Sequence, residues 1–186
     1  MKNKKNKNLI LLLVILLAVT VGFALVSTTL KIRGLGGVSG QIWDIHWDSN
    51  SVLVNQESTS TQEPTVSQDE LTVSYNVELE LPGDFYEFTV DAVNGGTINA
   101  KIATDGITQS PLTTQQDTYL NYTVTYADGT PIAVGDTLAK AGQTGNTKTL
   151  KVRVEYDTNV TAEQLNALTE PLAVTLNYSL NYVQAD

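Results

Sequence analysis

The sequence predicts an all-β protein, an antiparallel β-sandwich of jelly-roll type with one short helix, preceded by an N-terminal signal or transmembrane helix. Three observations carry that expectation. Apolar and polar residues alternate with period two along most of the chain, so each strand has one apolar and one wet face. Turn residues (Pro, Gly, Asn, Asp) separate the alternating runs. Four lysines at positions 2, 4, 5 and 7 precede an 18-residue stretch, 9–26, without a charge.

The basic flank and the uncharged stretch read as an export leader. Gly22 and Ala24 are small residues at the −3 and −1 positions of a cleavage site between Ala24 and Leu25. An uncleaved anchor is the alternative, since 18 residues is close to the lower limit for a span. Residues 25–36 read as an N-terminal strand and a glycine hinge. Leu30 and Ile32 share one face, Lys31 and Arg33 the other, and Gly34, Gly36 and Gly37 follow. Residues 37–186 are the sandwich domain.

Within that domain, Trp43-Asp44-Ile45-His46-Trp47-Asp48 alternates as a strand. Residues 57–70 are polar and aperiodic and read as a mobile loop. Leu71, Val73, Tyr75, Val77, Leu79 and Leu81 form one apolar ladder, turned by Pro82-Gly83-Asp84. Tyr86, Phe88, Val90 and Ala92 form the next, and Asn94-Gly95-Gly96 reads as a hairpin turn into Ile98, Ala100 and Ile102. Leu120 to Tyr126, Leu150 to Tyr156 and Leu172 to Tyr182 alternate likewise, with a turn at Asp128-Gly129 and a flexible turn region over 139–147. Only 161–168 reads helical, with Asn159 or Thr161 as N-cap and Pro171 as stop. Strands of a parallel α/β sheet would be apolar on both faces, which these are not.

Removing residues 1–24, which hold four lysines and no acid, changes the net charge from −9 to −13. That charge repels phosphate backbones and anionic headgroups, which argues against nucleic acid and against docking on a lipid surface. The membrane is a partner only through the N-terminal segment. The absence of Cys excludes disulfides, zinc–thiolate sites and a thiol nucleophile.

Asp44, His46 and Asp48 share one face of the 43–48 strand and are the candidates for holding a cation. Same-face neighbours on one strand lie roughly 6.6 Å apart, too far for a single small ion without help from a second strand. A solvated face opposite a tryptophan-rich core is therefore the adopted reading. One His cannot build a multi-histidine zinc site, and neither H-E-x-x-H nor G-x-S-x-G is present. Glu78 and Glu80 lie on the wet face of one strand and serve solubility. Seven of the eight tyrosines are in phase with the apolar ladders and read as core, which leaves no stacking platform for sugars. No catalytic residue and no cofactor is expected.

Two strings resemble a known family. The leader running into Gly22-Phe-Ala-Leu-Val-Ser-Thr-Thr29 resembles SipW-type signal peptides of Gram-positive exported proteins. The segment Leu79-Glu-Leu-Pro-Gly-Asp-Phe-Tyr-Glu-Phe-Thr-Val-Asp-Ala-Val-Asn-Gly-Gly96 is similar to the L-x-P-G-D … F-x-V … N-x-G core of the camelysin/TasA family. The resemblance implies a jelly-roll domain exported to the cell surface, where family members assemble into extracellular-matrix or pilus-like fibres. Some members are described as metalloproteases. Nothing in this sequence supports that activity.

The expected function is therefore a non-enzymatic surface or biofilm-matrix subunit that polymerises with copies of itself, with other surface proteins as further partners. The assembly strand would be 25–33, with Leu25, Leu30, Ile32 and the Gly34 hinge as its key positions. The alternative is a membrane-tethered monomer that binds a ligand or protein partner through its loops.

Overall fold

In the computed structural model, residues 40–59, 63–168, 172 and 174–185 are described. The leader, the cleavage pair Ala24 and Leu25, and the assembly-strand positions Leu30, Ile32 and Gly34 lie outside these residues. So does Pro171. The described part is built of antiparallel β-sheet with two short helices.

The central strand is β4 (Phe85–Asn94), and its burial alternates without a break. Tyr86, Phe88, Val90 and Ala92 face inward and are buried, while Phe85, Glu87, Thr89 and Asp91 face out. β4 pairs on one side with β1 (Ile45–Val54) and on the other with β8 (Thr147–Tyr156). β8 also pairs with β6 (Leu120–Tyr126), giving a four-stranded sheet in the order β1-β4-β8-β6. A second sheet has the order β7-β5-β9, from Thr137–Leu138, Ala100–Gln109 and Tyr178–Gln184. β2 (Thr65–Val66) and β3 (Val73–Ser74) form a small hairpin, so part of the segment read as a loop is strand.

Two buried clusters line the inner face of the four-stranded sheet. The first joins Tyr86, Phe88 and Val90 to Tyr122, Val152 and Val154. The second joins Ala92 and Leu150 to Ala100 and Leu138 of the three-stranded sheet. Each buried Phe, Val or Leu among them stabilises the fold by roughly 1.5–3 kcal/mol. On the outer face, Arg153 bridges strands. It donates to Glu87 at 3.2 Å and to Glu155 at 3.0 Å, and its guanidinium lies 3.9 Å from the centre of the Phe85 ring.

The Asn94-Gly95-Gly96 turn is not a hairpin. β4 and β5 belong to different sheets, so this turn carries the chain from one sheet to the other. Neither glycine adopts positive φ, which a two-residue Asn-Gly hairpin turn demands. The buried Asn94 side chain organises the crossing instead. Its amide donates to the Ile98 and Leu138 carbonyls at 2.9 and 3.3 Å, and its oxygen accepts from Gly96 N–H at 2.9 Å. The glycines are needed for space. A Cβ on Gly95 would overlap the Asp44 carboxylate, and one on Gly96 would sit 2.5 Å from the Ile42 carbonyl oxygen.

The helix expected at 161–168 is α2 (Ala162–Ala167), capped by Thr161, whose hydroxyl accepts from Gln164 N–H while the Gln164 side chain returns to the cap amide. A second helix was not expected: α1 (Thr114–Tyr119), with the same Thr-x-x-Gln box at Thr113 and Gln116. Its body, Thr-Gln-Gln-Asp-Thr-Tyr, has no apolar stripe, so periodicity could not find it.

Tyr178 packs against the first cluster, whereas Asn177 is exposed. Tyr178→Asp is expected to lower stability by several kcal/mol, the cost of burying a lone carboxylate or of protonating it, and Asn177→Asp by under about 1 kcal/mol. Thermal melts of the two variants check this, and equal shifts would contradict the register.

Candidate functional site

Two expected ladders are only partly strands. Among the described residues, 71–81 form a named strand only at β3, and 172–182 only from Tyr178 onward. Their alternation nonetheless persists. Val73, Tyr75, Val77 and Leu79 are half-buried, while Ser74, Asn76, Glu78 and Glu80 are exposed. Leu176 and Tyr178 repeat this pattern, and all six apolar side chains cover the first cluster. Leu71 and Leu81, in phase with them, are exposed.

The backbone of 75–79 is distinctive. Among the described residues, none of its amides or carbonyls has a backbone hydrogen-bond partner. Its two ends are fixed. At one end Val66 and Val73 pair in the β2–β3 hairpin. At the other, the Asp84 carboxylate accepts from Leu81 N–H at 2.8 Å and Glu80 N–H at 2.9 Å. Those two bonds hold the Asp84 pKa below the ordinary aspartate value. Gly83 takes φ 96°, and its N–H donates to the Tyr156 carbonyl at the end of β8. An extended run with an apolar underside, and with no main-chain partner among the described residues, has the form of a template for another strand. β9, the last strand of its sheet, also has one edge without a ladder partner among the described strands.

Tyrosines crowd this region. The Tyr75 ring lies 5.1 Å from that of Phe88 and 6.0 Å from that of Tyr86, centre to centre. Its buried hydroxyl has no hydrogen-bond partner among the described residues. Burial raises the pKa of Tyr75 and of Tyr122, and for Tyr75 the neighbouring Tyr122 adds to the rise. Burial likewise lifts Tyr182 to about 12, with Asp136 adding to the effect.

The Asp44, His46 and Asp48 face divides in two. His46 Nδ1 and Asp44 Oδ1 are 2.8 Å apart, and the pair sits beside Gly95. Asp48 turns to its own loop, accepting from Asn50 N–H at 2.9 Å. Among the described residues no three His, Asp or Glu side chains gather as metal ligands. Trp43 lies outside β1 and is exposed, whereas Ile45 and Trp47 pack on the core. An open polar cleft of about 650 Å³ lies elsewhere, beside the β6 turn. There Tyr126 donates to Asp136 at 2.8 Å, Lys148 stands 5.4 Å from the Tyr126 ring centre, and Asp128 and Thr130 complete the wall. No helix among the described residues is long and apolar enough to cross a membrane. No family model, curated protein or solved structure matches the chain.

The tyrosines set an alkaline limit on stability. In the unfolded chain they ionise near pH 10, and in the folded chain Tyr182 does so at about 12. The folded state therefore keeps a proton that the unfolded state has lost. The Tyr182 contribution is fully present below about pH 10 and is lost as pH rises towards 12. Denaturant midpoints at pH 8 and 11 should differ, with Tyr182 alone accounting for roughly 1 kcal/mol and Tyr182→Phe removing that part.

Proposed function

We propose that this chain is an exported, non-enzymatic structural subunit of the cell surface or extracellular matrix, of the camelysin/TasA kind. In this reading the two larger sheets close into a jelly-roll sandwich. The leader 1–24 is removed after Ala24, and copies polymerise by giving residues 25–33 to a neighbour. One observation carries the proposal: the 75–79 run, apolar beneath and without backbone partners among the described residues. A strand laid along it would gain main-chain hydrogen bonds, and its alternate side chains would add apolar contacts. Leu30 and Ile32, in phase on one face, suit that role, and Gly34 frees the strand from its own domain. Each copy then gives a strand to one neighbour and takes one from another. That contact does not close on itself and so makes a fibre.

The absence of Cys fits a subunit whose links are non-covalent. A Gram-positive cell surface suits the leader, and the membrane takes part only through the N-terminal segment. The competing reading is a tethered monomer that binds a partner through its loops. The open cleft at Tyr126, Asp136 and Lys148 is the observation that favours it.

Mass spectrometry of cell-surface material should find the mature N-terminus at or within about two residues of Leu25. Recovery of only the intact chain in the membrane fraction would favour the tether. Electron microscopy of the secreted protein should reveal fibres, and a variant starting at Gly34 should stay folded and monomeric. Identical fibres from that variant, or its failure to fold, would rule out strand donation.

A further inference from the structure

The four-stranded sheet has two ends of unlike character. At one end β1 begins and β4 finishes, and Gly95 N–H and Thr97 N–H donate to the carbonyls of Asp44 and Ile42. The chain enters the described fold here, with 39 residues preceding Gly40. Ile42 and Trp43 stand 57% and 46% exposed side by side. At the other end β4 begins and β8 finishes, with Gly83 N–H bonded to the Tyr156 carbonyl and the Tyr119 hydroxyl to the Gln164 carbonyl of α2. Leu81 is 65% exposed there and Leu165 38%.

Charge is divided in the same sense. The segments at the Leu81 end, 81–84, 112–120 and 156–168, hold Asp84, Asp117, Asp157 and Glu163 and no Lys or Arg. The Trp43 end holds Lys101, Lys140 and Lys148, three of the five basic residues among those described, amid Asp44, Asp128, Asp136 and the Asp69–Glu70 turn that is bonded to Trp47. A large exposed Trp beside an exposed Ile is costly to leave in water. A two-fold contact would set like end against like, acid against acid at the Leu81 end. A head-to-tail contact sets apolar on apolar and lysines on carboxylates.

We infer that the Ile42–Trp43 end of one copy seats on the Leu81–Leu165 end of the next, so that the strands of successive copies run along the fibre axis. This rests on the polymeric reading above and adds the contacting surfaces, which strand donation alone leaves open. It also requires the N-terminal segment to leave each copy at the junction where it would be received.

The chain has no Cys, so single thiols can be placed without background. Full-length Ile42→Cys and Leu81→Cys chains, secreted and mixed in equal amounts, are treated with a short thiol–thiol cross-linker and also inspected by electron microscopy. The expected result is cross-linked dimer from the mixture and almost none from either variant alone. Fibres without the mixed cross-link, or Ile42→Cys cross-linking equally well to itself, would overturn the end-to-end contact while leaving the polymeric reading intact. Absence of fibres from the unsubstituted protein would overturn both. Leu81→Ser, with an unchanged thermal midpoint, should lose fibre formation, and full retention of fibres would count against the contact.

Discussion

Everything described depends on the pairing of β4 with β8. These two strands supply Tyr86, Phe88, Val90 and Ala92 from one side and Leu150, Val152 and Val154 from the other, held in register over nine residue pairs. β1 and β6 flank this pair, and Ala100 and Leu138 of the second sheet share a buried cluster with its Ala92 and Leu150. Without Cys no disulfide ties the strands together, so an unbroken apolar face at the centre is a necessity. The outer face carries the charges, and there Arg153 joins β8 to β4 through Glu87.

Period two made most of this legible. β4, β6 and β8 fall where alternation places them, and the capped helix starts at Thr161 as its box implies. Three things were not legible. The Asn-Gly string signals a turn but not whether the strands beside it pair. That is decided by the buried Asn94 side chain and by Asp44 and Ile42, some 50 residues away in sequence. Alternation also cannot distinguish a paired strand from an extended run that merely covers a core. For 75–79 and 174–176, burial has strand character while the ladder is missing among the described residues. And α1 lacks an apolar stripe, although its Thr113–Gln116 box was readable.

The site candidates divide in the same way. Asp44 and His46 do meet, because they lie two apart on one strand face, but Asp48 is taken by Asn50 where the β1 register is interrupted. Sequence spacing gave proximity along the strand and no information about which carboxylate a nearby turn would engage. The in-phase tyrosines proved to be core residues for the most part, and Tyr119, out of phase, is buried as well because it closes α1. The 75–79 run, without backbone partners among the described residues, had no signature of its own, since its alternation is that of a paired strand.

The separation of β4 from its partners governs the order in which the fold can form. β4 ends at Asn94, and β8 does not begin until Thr147. A chain that emerges from its N-terminus can pair β4 with β1 early and lay Tyr75 over Tyr86 and Phe88, yet its opposite edge and the rest of that cover, from Val152, Val154, Leu176 and Tyr178, wait for the last third of the sequence. Pairing between such distant segments is slow, because the entropy of closing a long loop is lost before any contact offsets it. Until then the most apolar strand stands open on one side, beside exposed main chain, and is prone to meet other copies prematurely. A nascent chain of this design stays pliable for as long as it is incomplete, and its cooperative core forms only once the C-terminal strands arrive.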